Sequence, residues 1–237
     1  MRNKFFKFKQ FSVKNDLAAM KVGTDGVLLG AWCNVSDASH VLDVGCGTGL
    51  IALMIAQRNP QALIDAVEID AKACEEACYN VENSPWYNRI NIINEDFTAL
   101  TLSGKKYELI VSNPPYFSAG VLPPGRERML ARHCATLTYH DLIVRSMSML
   151  SPVGRICIIT PADVEMLIKQ IVASNSLSIH KMTFVRPKPS SEAKRILWEI
   201  SPVKAARTVE ELTIETEKHH EYTSRYIALT KDFYLKM

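Results

Sequence analysis

From residue 41 onward, apolar runs of strand length alternate with helical patterns. That alternation predicts βαβ units and a parallel sheet. The expected strands are "HVLDVG" at 40–45, "LIDAVEI" at 63–69, "INII" at 90–93, "YELIVS" at 107–112 and "RICIIT" at 155–160. Helical patterns lie between them, such as "LIALMIAQRN" from Leu50 and "AKACEEACYNVEN" from Ala71. Pro161 opens another helix over "ADVEMLIKQIVASN", since proline suits a first helical position. Two further strand-like segments, "LSIHKMTFVR" and "RILWEISPV", are joined by "PKPSSEAK" and read as a closing antiparallel hairpin. The expected fold is α/β: a doubly wound, Rossmann-like, mostly parallel seven-stranded sheet. The one long irregular piece, 118–130, is of a length that compact domains usually reserve for function or disorder.

The first strand runs into "VLDVGCGTGL", with Asp43, Gly45, Gly47 and Gly49 at its end and a helix following. Glycines let backbone approach a ligand, and a helix start offers free N–H groups. The spacing is GxGxG rather than the GxGxxG of a dinucleotide fingerprint, and an acid precedes it. An acid there is awkward for pyrophosphate but suits a cationic ligand such as a sulfonium amino acid, which favours S-adenosylmethionine over NAD. Glu68 ends the second strand, where a carboxylate can accept both ribose hydroxyls. Asp96 follows the third, placed to receive an adenine amino group while Phe97 packs against the base. Three acids at successive strand ends lie on the edge where open α/β sheets bind ligands.

The fourth strand breaks into "NPPYF". Proline lacks a donor, fixes its own φ and pushes its predecessor towards extended backbone, so Asn113 is held rigidly at the strand end. The Asn113 side-chain oxygen and the Pro114 carbonyl are both acceptors, able to hold the two hydrogens of one NH₂ group. A conjugated amine, on adenine or on an amide, is a poor nucleophile. Two fixed acceptors favour its pyramidal form and stabilise the growing positive charge. Tyr116 and Phe117 can stack on a planar substrate.

Composition changes this picture little. The 237 residues suit one domain, and 28 basic against 25 acidic residues leave a charge of +3, which neither demands nor excludes a polyanion. Cys33, Cys46, Cys74, Cys78, Cys134 and Cys157 are scattered singly without zinc-site spacing, and are expected as core thiols in a reducing cytoplasm. No stretch approaches a membrane span, no metal is expected, and His219 and His220 read as exposed helix-end residues.

On these residues the chain resembles class I S-adenosylmethionine-dependent methyltransferases of the NPPY type. It is most similar to the bacterial tRNA1(Val) adenine-37 N6-methyltransferase family. The likeness runs through "FSVKNDLAAMKVGTDGVLLGAW", "LDVGCGTGLIALMIAQR", "IDAVEID", "NSPWYNRI", "SNPPYF", "KRILWEIS" and "LTKDFYLKM". It implies that Asp43, Gly45, Gly47, Gly49, Glu68, Asp96 and Phe97 line the cofactor, with Thr24 and Asp25 contributing from a covering segment. It implies that Asn113, Pro114, Pro115 and Tyr116 hold the target base of a tRNA. Residues 1–39 would be an extension covering cofactor and facing RNA, and 40–237 the catalytic core. Cys46 stands where the family often has Thr, at a position that is chiefly backbone.

Three rivals share parts of this pattern. A protein glutamine N5-methyltransferase usually carries a helical domain before the glycine loop, and a DNA adenine methyltransferase a target-recognition domain. A cofactor- or RNA-binding protein without activity fits poorly with an intact Asn113 and Asp43. The expected RNA-facing cations are Arg2, Lys4, Lys7 and Lys9, then Arg126, Arg128 and Arg132, then Arg186, Lys188, Lys194 and Arg195. The aromatic interleaving of "KFFKFK" suits single-stranded RNA.

Overall fold

The computed structural model describes residues 4–18, 21–101, 104–115 and 137–237. Its main sheet grows from the expected strands: β3 (His40–Val44), β4 (Leu63–Glu68), β5 (Ile90–Asn94), β6 (Tyr107–Ser112) and β7 (Leu150–Pro161), all parallel to one another. Then β8 (Ser178–Arg186) and β9 (Arg195–Ser201) form the antiparallel hairpin. The spatial order is β10-β8-β9-β7-β6-β3-β4-β5, with β9 antiparallel between β7 and β8. The strand order reverses between β3 and β6, and such a switch point opens a crevice at the carboxyl edge.

The sheet has eight strands rather than seven. The extra one, β10 (Thr208–Thr213), lies parallel to β8 at the edge. Its sequence TVEELT buries only Leu212 fully, so hydrophobic patterning does not reveal it. A short antiparallel ribbon of β1 (Phe5–Lys7) and β2 (Ser12–Lys14) was also absent from the expectations.

Alternate residues of the parallel strands feed two cores, one on each face, as the period of two requires. Val41, Leu109, Val111, Cys157 and Ile159 join one; Leu42, Val44, Ile110, Ile156 and Ile158 join the other. The first face carries α1 (Thr24–Trp32), α2 (Leu50–Arg58) and the closing α6 (Ser224–Thr230); the second carries α4 (Tyr139–Met149) and α5 (Glu165–Ser174). In α2 every residue from Leu50 to Ala56 is buried, because it is sandwiched between sheet and α1. Gly30 makes that sandwich possible: a Cβ there would stand 2.8 Å from Met54 Sδ. Gly26, one turn earlier, would meet Leu50 at 3.1 Å.

Helix α3 (Ala71–Glu82) ties down the chain that precedes α1. The wholly buried Glu76 carboxylate accepts the backbone N–H groups of Asp16 (2.6 Å), Leu17 (3.0 Å) and Ala18 (2.9 Å). Burial opposes its ionisation, but these donors outweigh it and hold its pKa below the usual value. Asn80 accepts Lys14 N–H at 2.7 Å and donates to the carbonyls of Lys14 and of Thr48 in the glycine loop. Cys33, Cys46, Cys74 and Cys157 are buried and Cys78 half-buried, in line with core thiols; Cys134 lies outside the described residues. Among the described residues no helix is long and apolar enough to cross a membrane.

Candidate active site

The register of the parallel strands sets the site. Asp43 pairs with Val111 and Val44 with Val67, so two residues past the first pair and one past the second, Asn113, Gly45 and Glu68 fall in a row at the carboxyl edge, with Asn94 beside Glu68. Neighbours in such a row are separated by about 4.8 Å. Ser112 Oγ donates to Val44 O at 2.8 Å, fastening the end of β6 to the mouth of the glycine loop.

Gly45, Gly47 and Gly49 all have positive φ (69°, 55° and 79°), a region that side chains disfavour. Cβ atoms added at Gly45 and Gly47 would meet nothing within 4 Å, so the loop borders open space. Gly49 is the left-handed N-cap of α2, and a Cβ there would stand 3.6 Å from Ala77 Cβ on the helix over residues 71–82. The Glu68 carboxylate stands against the loop, accepting Gly47 N–H at 2.8 Å and Asp70 N–H at 2.9 Å.

Asp43 lies wholly beneath the loop instead of facing the open space. Its Oδ2 accepts Ala52 N–H, in the first turn of α2, at 3.1 Å, and its buried Oδ1 has no hydrogen-bond partner among the described residues. Burial pushes its pKa up to about 7, partly relieved by the Ala52 N–H, and the charge of Glu68 adds to the rise. A positive charge over the loop would offset that cost.

Residues 21–175 match the Methyltransferase small domain family. Over the full length of both chains, this chain is 44% identical to the tRNA1(Val) (adenine(37)-N6)-methyltransferase of Parabacteroides distasonis and 45% to that of Phocaeicola vulgatus. With that of Trichodesmium erythraeum it shares 43%, over 98% of each chain. The chain belongs to the tRNA1(Val) (adenine(37)-N6)-methyltransferase family. Among solved structures, a predicted O-methyltransferase of Agrobacterium tumefaciens superposes with a TM-score of 0.68 at 20% identity, covering 88% of this chain and 96% of that one. The ribosomal protein L11 methylase of Lactobacillus delbrueckii reaches 0.51 at 21%, covering 74% and 76%. Both likenesses are of fold, and the fold is that of a Rossmann-like methyltransferase.

Against the family pattern, the remaining site residues divide. Asn113 is half-buried, Pro114 buried and Pro115 exposed, while Tyr116 and Phe117 lie outside the described residues. Asp96 Oδ1 accepts Thr98 N–H at 2.8 Å and shapes the turn after β5. Phe97 is buried in the core, with the Arg145 guanidinium 5.7 Å from its ring centroid. Arg145 also donates to the carbonyls of Phe97 and Leu100. Asp25 is engaged by Arg195, whose Nε donates to its Oδ2 at 2.9 Å across to β9. With Thr24 it borders a depression of about 320 Å³.

His219 and His220 sit in a turn between the bridged residues Glu215 and Tyr222, not at a helix end. Both rings face the Glu215 carboxylate, at 3.3 and 3.9 Å. The expected RNA cations also divide. Lys4 pairs with Asp16, Lys9 donates to the Lys231 and Met237 carbonyls, Arg186 pairs with Glu211, and Lys188 reaches the Glu217 carbonyl. Arg2, Arg126, Arg128 and Arg132 lie outside the described residues. Sequence reading missed Glu76, Asn80 and Ser112, each of which braces the site through backbone contacts that carry no motif.

Proposed function

We propose that this protein uses S-adenosylmethionine to methylate the exocyclic N6 amino group of adenine 37 in the anticodon loop of tRNA1(Val). The observation that carries the reading is the row Asn113–Gly45–Glu68, which sets two substrate acceptors beside a glycine loop bordering open space. The near-identity in length with relatives named for this reaction supports the same substrate.

The donor set fits the cofactor. Open space over Gly45 and Gly47 admits it, Glu68 offers two carboxylate oxygens for ribose hydroxyls, and the buried, partner-poor Asp43 favours positive charge above the loop. When bound, S-adenosylmethionine supplies an electrophilic methyl group on a sulfonium centre. Asp96 is assigned the adenine amino group, and Phe97 supports that turn from beneath. Residues 1–39 form the covering extension, held by Glu76 and Asn80.

On the substrate side, Asn113 Oδ1 and the Pro114 carbonyl accept the two N–H groups of the target amine, and Pro115 keeps the segment stiff. As the nitrogen attacks, it pyramidalises and gains positive charge, which the two acceptors stabilise without a strong general base. Tyr116 stacks on the extruded base. Asn113→Ala is expected to lower kcat by about 10² to 10³ while leaving cofactor affinity within about twofold by calorimetry. Digestion of the tRNA product should yield N6-methyladenosine at position 37. Methylation that appears only in a protein fraction, or full activity of the variant, overturns the reading.

A further inference from the structure

The depression beside Thr24 and Asp25 lies on the same carboxyl edge as Asn113, further along the sheet. It is walled by the α1 start, by Val185 and Pro187 at the end of β8, by Ile214 after β10, and by Lys194 and Arg195 at the start of β9. Strand register gives its distance from the site. Ser112 pairs with Ile158 on β7, and Arg195 pairs with Pro161 on the same strand. Three residues along β7 and two strand spacings across put the Arg195 backbone about 14 Å from that of Ser112. That is the scale on which neighbouring groups of one RNA strand can reach both places, while the Arg195 guanidinium itself turns to Asp25 at 2.9 Å.

The two cations at this depression stand on fixed backbone. Lys194 N–H donates to Val185 O at 2.9 Å, Lys194 O accepts Ala162 N–H at 3.1 Å, and Arg195 Nη1 donates back to Lys194 O at 2.9 Å. They also differ from their neighbours on the hairpin. Lys181 and Arg186 are paired with Glu210 and Glu211 of β10, whereas the exposed Lys194 ammonium has no ion pair among the described residues. On the other side of Arg195 is a further polar group seeking a partner. The Tyr139 hydroxyl, at the start of α4, is buried without a hydrogen-bond partner among the described residues, and the charges of Asp163 and Arg195 both act on it.

We infer that this depression takes a backbone phosphate of the substrate RNA next to the target nucleotide, with Lys194 and Arg195 as its cationic contacts and Asp25 orienting the Arg195 guanidinium. Two cations carried on fixed backbone near Asn113, one of them braced by Asp25, set the register in which the anticodon loop meets the methyl donor. The inference rests on the tRNA reading given above. Arg195 and Lys194 are positioning residues here, because neither touches the reacting atoms.

The test compares wild type, Lys194→Gln and Arg195→Gln by binding of a tRNA1(Val) transcript from 50 to 300 mM salt, with cofactor affinity by calorimetry alongside. Each variant is expected to weaken tRNA binding about tenfold at intermediate salt and to lower the log–log salt slope by about one. Cofactor affinity should stay within about twofold. Lys194 is exposed and makes no ion pair among the described residues, so its variant keeps the test open if Arg195→Gln folds poorly. Unchanged tRNA affinity and slope in Lys194→Gln overturn the inference alone. Loss of cofactor affinity with intact tRNA binding also overturns it, assigning the depression to the cofactor carboxylate. A wild-type protein that binds and methylates no tRNA overturns the functional reading and this inference together.

Discussion

The substitution Asp43→Asn tests the electrostatics of the glycine loop without changing its shape. The amide oxygen can still accept Ala52 N–H, while the charge is gone. In the wild-type fold, burial raises the Asp43 pKa from 3.8 to about 7, a shift of roughly three units. At 1.36 kcal/mol per unit, ionising Asp43 costs the fold up to about 4 kcal/mol. The raised value means that the folded state holds a proton that the unfolded chain has already released between pH 4 and 7. Wild-type stability from this group is therefore complete below about pH 4, declines through that window, and is flat above it. The neutral amide of the variant carries no such dependence. Urea unfolding of both proteins from pH 4.5 to 8.5 should show the variant gaining on the wild type by about 3 kcal/mol as pH rises. Cofactor binding should run the other way: the wild type releases protons on binding near pH 7, detectable by calorimetry in buffers of different ionisation enthalpy, and the variant does not. A stability difference that is the same at every pH would refute the reasoning.

Further outcomes follow from the bracing contacts. Glu76→Gln removes the charge that three backbone N–H groups address, and should cost about 1.5–3 kcal/mol at pH 7. Because the Glu76 pKa is lowered in the fold, that difference should be present above about pH 4.5 and fade as pH falls below it, read by urea midpoints. Gly30→Val places two methyl groups where even a Cβ stands 2.8 Å from Met54 Sδ. It should destabilise by about 1–3 kcal/mol, with cofactor affinity falling as α1 is pushed from α2, measured by thermal unfolding and calorimetry. Asn113→Ala separates chemistry from cofactor binding, and Lys194→Gln separates RNA binding from both, in the assays given above.

Two of the segments that carry the family likeness prove to be structural once they are seen folded. In "GVLLG" the two glycines, one helical turn apart, let α1 lie on α2. In "NSPWYNRI", Arg89 donates to the carbonyls of Ala56, Asn59 and Ala62 and so caps the end of α2, while Trp86 packs edge-on to Phe11. The strand ends bearing Asp43, Glu68, Asp96 and Asn113 were legible because each closes an apolar run, and period-two patterning is a local property. The edge strand β10 was not, because its face is half polar and its place depends on β8.

The sequence by itself determined the parallel core strands, the glycine loop before α2, the acids at the ends of three of those strands and the proline-locked Asn113. These follow from local sterics, hydrophobic period and donor chemistry. Only the tertiary structure decided what each acid faces. Asp43 turns beneath its loop, Glu68 turns up against it, and Asp25 reaches across to Arg195 on a strand far away in the chain. Burial and partner choice come from the packing of distant segments, so one carboxylate ends up buried beneath a loop, another bonded to that loop's backbone and a third paired with an arginine.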